Sequence, residues 1–504
     1  MAETINNQEQ NSLLNEECLF RIADGLVNRQ AWPMHWSSLL SVLFWFAIAS
    51  AAASDRPNVL FIAVDDLRPE LKCYGASQIH SPNIDRLANR SMLFERAYCM
   101  VPTCGASRSA MMTSIRPAHN RFTSFLTRAD VDAPQVDGLH THFKKNGYHT
   151  VSLGKVFHHR SDSAHGWSEE PWRAVAFTYH LPENREIQRK KIGSGNKPAR
   201  AAPYENANVP DNAYPDGRLA EHAVETMGRL ARREQPFFLA VGFFKPHLPF
   251  NAPRKYWDLY PKDTIKLPDN YRQKPKGAPQ EAVHNSGELR AYHGVPRRGP
   301  VSDEMAQNLI RGYYACVSYT DALVGKLLDE LDRLKLTDNT IIVLWGDHGW
   351  NLGDHTMWCK HSCFETSLQV PLLVVAPGYK AGQRSSKLVE SIDIYPTLCD
   401  LTGLAKPGHL QGQSLVALLK NPEDKWKPFA ISRYRNGDSV RTDHFRYTKY
   451  SKPNGRTLSQ RLYDHKNDPV ENTNIANQSN QAGILAKLLQ ANMGKPSPQK
   501  QKSE

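Results

Sequence analysis

Four apolar runs, each closing on a cluster of charged or imidazole side chains, constrain this chain more than any other feature. Asn58 to Val64 (NVLFIAV) ends in Asp65-Asp66, and Tyr148 to Leu153 leads into Gly154-Lys155-Val156-Phe157-His158. Pro236 to Phe244 (PFFLAVGFF) leads into Lys245-Pro246-His247, and Thr340 to Trp345 leads through Gly346 into Asp347-His348. A short apolar run bounded by turn residues reads as a strand buried on both faces of a sheet. Val370 to Ala376 reads as a further strand. Helical patterns lie between the runs. Ser81-Pro82 opens one, with a capping serine and proline at the first helical position. Leu219 to Arg233 is a second, and Met305 to Leu336 is the longest, with Leu309, Tyr313, Val317, Leu323, Leu327 and Leu331 at helical spacing. Strands alternating with helices predict an α/β fold built on a largely parallel sheet. Ligand-binding groups gather at the carboxyl ends of such strands, so the polar clusters are expected along one rim.

The chain has 504 residues, 40% hydrophobic and 23% charged, which excludes a disordered polymer. The apolar run Leu39 to Ile48 is followed by Ala49-Ser50-Ala51-Ala52-Ala53, a short hydrophobic region with a small-residue cleavage pattern. It is too short to span a bilayer comfortably. The expectation is an exported protein, periplasmic or secreted after signal removal, without a stable membrane span; Met34 offers an internal start nearer the apolar run. Residues 1–54 are read as leader and signal peptide and 55–425 as the catalytic domain. Residues 426–504 are read as a small C-terminal α+β subdomain with short alternating strands at Phe429–Tyr434, Ser439–Tyr450 and Thr457–Tyr463. A closing helix at Gln481–Met493 and a disordered tail complete it. The net charge of +12 raises the local concentration of polyanions. It suits an acidic polysaccharide, a nucleic acid or an anionic membrane about equally, but no aromatic and basic nucleic-acid motif stands out.

The clusters carry recognisable chemistry. Asp65, Asp66 and Asp347 offer carboxylate oxygens to a hard divalent cation, and His348 can add a nitrogen. An Asx turn is the bland alternative for Asp65-Asp66 alone. Lys155 supplies positive charge, and His158, three residues on, can carry a proton near neutral pH. In Lys245-Pro246-His247 the proline stiffens the approach of His247. Lys360 follows Asp347-His348 closely enough to reach the same rim, and Arg108 has a guanidinium suited to an oxyanion. Cys104 lies at the start of a helix-permissive stretch, where the dipole favours anions. Of the eight cysteines, six remain once Cys18 goes with the leader and Cys104 is set aside, a number that permits disulfides without identifying pairs. Cys359, His361 and Cys363 are too few ligands for a zinc site and are read as structural.

The segments SPNIDRLA, CGASR (Cys104 to Arg108), GKVFH, PFFLAVGFFKPHLPF and TIIVLWGDHGWNLGDH together resemble the type I sulfatases of the alkaline-phosphatase superfamily. NVLFIAVDDLRPELKCYG and the closing LYDHKNDPVENTN add to that likeness, which is strongest to the iduronate 2-sulfatase group. The resemblance implies an alkaline-phosphatase-like sandwich, with a large mostly parallel sheet flanked by helices and a small C-terminal antiparallel sheet. It implies a sulfate-ester hydrolase acting on a sulfated saccharide, in which a formylglycine-generating maturase converts Cys104 to Cα-formylglycine. One Ca²⁺ would be held by Asp65, Asp66, Asp347, His348 and the modified residue 104. Arg108 and Lys155 would steady the aldehyde hydrate. Lys155, His247 and Lys360 would hold the sulfate, with His247 protonating the leaving alcohol and His158 recovering the proton of the second hydroxyl. Three departures stand out: Ala106 stands where many sulfatases carry proline, Ser114 replaces a common glycine after Thr113, and residues 160–217, expected to form the sugar pocket, resemble the group poorly. A phosphomonoesterase or phosphonate hydrolase on the same scaffold, and an inactive glycan-binding protein, are the competing readings.

Overall fold

The computed structural model describes residues 56–190 and 199–493; the leader, its apolar run and the C-terminal tail lie outside them. Seven strands form the main sheet: β1 Asn58–Val64, β2 Met92–Tyr98, β3 His149–Gly154, β4 Phe237–Phe243, β5 Thr340–Gly346, β6 Gln369–Val375 and β7 Gln383–Glu390. Their order is β7-β2-β6-β5-β1-β4-β3. The four runs that end in polar clusters are therefore immediate neighbours, and they pair in parallel. Strand β6 runs against both its neighbours, while β7 pairs in parallel with β2. The sheet is mixed but mostly parallel, as expected.

Alternation along β1 explains the layers. Leu60, Ile62 and Val64 point into a core shared with helices α3 (Pro215–Leu230) and α4 (Asp303–Arg333). Val59, Phe61 and Ala63 point into the opposite core, with Met111 and Met112 of α2 (Cys104–Thr113) and Leu398 of α5 (Ile394–Leu401). Every residue of β1 is buried, which is why its sequence reads as one apolar run. Helix α1 (Pro82–Ala88) starts at the expected proline, but Ser81 makes no side-chain cap. Asp321 of α4 accepts from the backbone N–H groups of Asn83 (3.0 Å) and Ile84 (2.7 Å) instead. A carboxylate there satisfies two orphan donors and complements the helix dipole.

The C-terminal segment forms a four-stranded antiparallel meander: β8 Ala430–Tyr434, β9 Gly437–Arg441, β10 Phe445–Ser451 and β11 Thr457–Asp464. The run read as one strand, 439–450, is a hairpin that turns at Thr442–His444. Helix α6 (Gln481–Met493) lays Leu485 and Leu489 on Ile431, Val440, Tyr447 and Leu462. Among the described residues no helix is long and apolar enough to cross a membrane. The seven described cysteines are free thiols rather than disulfide partners.

Candidate active site

Strand register brings the clusters together. Val64 lies beside Phe243 on one side and Gly346 on the other, and Gly154 lies beside Gly242. Asp65, Lys155 and Asp347 follow directly, and Lys245 and His247 follow within a few residues, on one rim. Asp66 takes a left-handed backbone (φ 63°), a conformation aspartate tolerates, so the chain turns just past the strand. Its N–H donates to Asp347 Oδ1 at 3.0 Å, and Tyr313 donates its hydroxyl to the Asp66 carbonyl at 2.8 Å. Gly242 is needed here because a Cβ at that position would overlap the Lys155 carbonyl.

Cys104 is the first residue of α2, a helix buried along its whole length. Its Sγ lies 3.2 Å from His348 Nε2. Arg108, one turn later on the same face, donates from Nε to Asp347 Oδ2 at 2.8 Å and from Nη2 to Asp65 Oδ1 at 3.4 Å. Its Nη1 bonds the carbonyls of Lys155 and Val156. Lys155 Nζ pairs with Asp65. Lys360 Nζ sits 3.1 Å from Asp66 Oδ1, and His348 Nε2 sits 3.4 Å from the same oxygen. His247 turns Nδ1 to the Leu248 carbonyl at 2.5 Å. His158 stands half-buried at the edge, its ring against Phe125 at 5.9 Å and beside His159 at 4.9 Å. All the sequence-predicted site residues therefore meet at this rim.

One acidic residue was not anticipated. Glu288 bridges Lys360 Nζ (3.0 Å) and His247 Nε2 (3.1 Å). It lies in a loop segment, Ser286-Gly287-Glu288-Leu289, with no periodic or strand-end signal to mark it. Ser114, the departure after Thr113, caps α2 in a left-handed conformation (φ 52°). Its hydroxyl donates to the Ile392 carbonyl at 2.7 Å and accepts from the Gly412 N–H at 3.1 Å, contacts a glycine could not make.

The electrostatics are those of a buried, crowded cluster. Burial works against ionised Asp65, but Lys155, His247 and Arg108 overcome it and hold its carboxyl well below the usual range. Asp66 goes the other way: burial, with Asp65 beside it, outweighs Lys360 and pushes it well above that range. Burial and then Asp65 push the Cys104 thiol up to about 12, so an unmodified thiol stays protonated at neutral pH. Burial and Lys155 pull His158 down to about 3, leaving it neutral. The ligand atoms of Asp65, Cys104, Asp347 and His348 lie within 4.8 Å of one another, as do those of Asp65, Asp66, Cys104 and His247. Fully buried carboxylate oxygens with one of them driven upward are the donor set a hard divalent cation relieves. The residues fit Ca²⁺.

The chain matches the sulfatase family model over residues 57–404. It belongs to the sulfatase family. Residues 353–495 also match the C-terminal domain model of N-sulphoglucosamine sulphohydrolase. Mouse iduronate 2-sulfatase is 31% identical over 91% of this chain and 98% of its own length, and human iduronate 2-sulfatase is 32% identical over 87% and 94%. Among solved structures, BT4656 in complex with its substrate D-glucosamine-2-N,6-O-disulfate superposes with a TM-score of 0.67 at 22% identity, covering 86% of this chain and 96% of that one. The phosphonate monoester hydrolase of Agrobacterium radiobacter reaches 0.68 at 24% identity, covering 86% and 95%. These likenesses carry the alkaline-phosphatase-like fold, and the family carries the reaction class. The sulfatase is a sulfuric ester hydrolase.

Proposed function

We propose that this sulfatase is exported and removes sulfate from sulfated saccharides of the iduronate 2-sulfate kind, with Cys104 matured to Cα-formylglycine and one Ca²⁺ held by Asp65, Asp66, Asp347, His348 and residue 104. When present, the aldehyde hydrate supplies a nucleophile that regenerates by carbon–oxygen cleavage, and the ion supplies Lewis acidity. The observation that carries this reading is the convergence of three buried carboxylates and three buried cations on residue 104 at the head of α2.

The roles follow from the contacts. Arg108 anchors Asp65 and Asp347 at once and, with Lys155, steadies the oxygens of residue 104. Lys155, His247 and Lys360 present cationic or donor groups to the sulfate oxygens. Such fixed donors stabilise charge developing at the sulfuryl group without reorganising, usually the largest catalytic term. His247 has acceptors at both ring nitrogens, the Leu248 carbonyl and Glu288, an arrangement that favours a proton on each. Burial and then Lys360 outweigh that and hold the ring below the usual imidazole range; a bound sulfate works in the opposite sense. His247 then donates from Nε2 to the departing alcohol. His158, neutral and with Nδ1 unpartnered among the described residues, would accept the proton of the second hydroxyl of residue 104 as sulfate leaves.

The basic composition, the apolar run Leu39 to Ile48 and the iduronate 2-sulfatase relatives support an exported enzyme for an acidic glycan. The test is protein co-produced with a formylglycine-generating maturase. The tryptic peptide containing Cys104 should be lighter by one sulfur and two hydrogens and heavier by one oxygen. The same preparation should release sulfate from sulfated oligosaccharides and turn over aryl sulfate faster than aryl phosphate. A matured enzyme that prefers phosphate refutes the reading.

A further inference from the structure

We propose that Arg435 reads a second anionic group on the saccharide, beside the sulfate ester that is cleaved; this rests on the reading above and deepens it. A cavity of about 550 Å³ borders the catalytic cluster through Thr103, Glu288 and His361, and its outer wall includes Phe125, Tyr434 and Arg435. That volume is the size of ordinary ligand pockets. Among the described residues, none of its lining comes from the stretch 160–217, where the sugar pocket was expected. The far wall is built instead by the hairpin of β8 and β9.

Three observations single out Arg435. The first is a continuous stack. His361, the residue after Lys360, stacks on Tyr434 at 5.7 Å and 28°, and the Arg435 guanidinium lies 5.5 Å over the same ring. The stack thus starts one residue from Lys360 and ends at an outward cation. The second is backbone cost. Arg435 and Asn436 form a two-residue turn between Tyr434 and Gly437, and Arg435 has φ 50°. Glycine, asparagine and aspartate take that conformation cheaply; a long side chain there marks a position worth a functional explanation. The third is its lack of a carboxylate. Arg433 pairs with Asp438, and Arg441 and Arg446 pair with Glu365, but no carboxylate pairs with exposed Arg435 among the described residues. A guanidinium over an aromatic ring at a pocket mouth offers two parallel N–H donors to a pair of anionic oxygens, on a planar carboxylate or a tetrahedral second sulfate.

The experiment uses the matured, Ca²⁺-loaded full chain. Arg435→Asn puts a turn-favoured residue at the same backbone position, and Arg435→Lys keeps the charge without the fork. Substrates are an aryl monosulfate, a 2-sulfated uronate disaccharide, its carboxyl-reduced analogue, and that analogue bearing a second sulfate. Arg435→Asn should raise KM for a two-anion disaccharide about tenfold, equivalent to about 1.4 kcal/mol. It should leave kcat, the aryl sulfate kinetics and the carboxyl-reduced monosulfate unchanged, and Arg435→Lys should fall between. Its melting temperature should not drop, since the turn is relieved. An effect confined to the uronate identifies a carboxylate reader; one confined to the second sulfate identifies a sulfate reader. Equal KM changes on all four substrates, or none on any, overturn the inference. Absence of aryl sulfate turnover by the wild type would instead remove the underlying reading.

Discussion

Arg108→Lys is the most demanding test of the cluster. The guanidinium makes bonds to Asp347, Asp65 and the carbonyls of Lys155 and Val156 from a fully buried position. Lysine keeps the charge but concentrates its donors on one atom, so it cannot span two carboxylates and two carbonyls. With one carboxylate retained, the other carboxylate and at least one carbonyl lose their bond to residue 108. Hydrogen bonds to charged groups contribute about 1.5–3 kcal/mol and neutral ones about 1 kcal/mol, so the loss is about 3 kcal/mol. With an unfolding entropy of about 2 cal/mol/K per residue over the roughly 430 described residues, the melting temperature falls by about 3 °C. Turnover falls further, by about 10²–10³, because Asp65 and Asp347 lose their aim toward residue 104. Thermal unfolding by circular dichroism and sulfate release on matured protein read the two effects. A variant that melts within 1 °C of wild type and keeps more than about half its turnover refutes the assignment of Arg108 as the brace of both carboxylates.

Three other outcomes are expected. Glu288→Gln removes a negative charge 3.0 Å from Lys360 and 3.1 Å from His247. A bound anion on the far side of those two groups would lie roughly 6 Å from the carboxylate, where like charge costs about 1–3 kcal/mol, so inorganic sulfate should inhibit the variant at least about fivefold more tightly. Unchanged or weaker inhibition contradicts the placement of sulfate between those two groups. Gly242→Ala drives a methyl into the Lys155 carbonyl; overpacking costs about 1–3 kcal/mol, and turnover should fall more than stability because Lys155 moves. Full turnover in that variant would show that the strand-end approach is not required. Glu390 is held by Arg116 and Lys427, which overcome burial and bring its carboxyl from 4.5 to about 2. Its folded value lies below its unfolded one, so its stabilisation is present above pH ~4.5 and fades as the pH drops toward ~2. Asp393, shifted upward chiefly by burial, offsets part of it. The melting-temperature lead of wild type over Glu390→Gln should therefore shrink across that window; a constant lead contradicts the assignment.

Much of the fold was legible because β1, β4 and β5 are buried on both faces and write unbroken apolar runs. Strands β2 and β7 were missed for the opposite reason. Glu95 and Arg96 interrupt β2, and β7 is a sheet edge whose Arg384 reaches across to Glu95 at 2.9 Å. The direction of β6 was also invisible, since periodicity reports burial and not polarity of the chain. In the site, residues adjoining a strand end could be placed because α/β topology assigns such positions to one rim. Lys360 and Glu288 depend on long loops. Lys360 was reachable through its closeness to His348 in sequence, whereas Glu288 is brought in by a loop whose course no local pattern records. Arg435 was hidden for a similar reason: the hairpin between β8 and β9 contributes to the pocket only through the packing of the C-terminal sheet.

That packing has a physical basis in Glu390, which ends β7. It accepts from Arg116, just beyond α2, at 2.7 Å, from Lys427 at 2.6 Å and from the Ile431 N–H at the start of β8 at 2.8 Å. One buried carboxylate thus ties helix α2, an edge strand and the first strand of the C-terminal sheet. The Arg433 N–H adds a bond to the Met100 carbonyl at 2.8 Å, four residues ahead of Cys104. These ties fix β8 against the segment that enters α2, so the turn carrying Arg435 is positioned by the same framework that positions residue 104. Loosening Glu390 should then blur recognition of the sugar before it disturbs the carboxylates of the reaction centre, which hang from β1 and β5 and do not depend on the C-terminal sheet for their register.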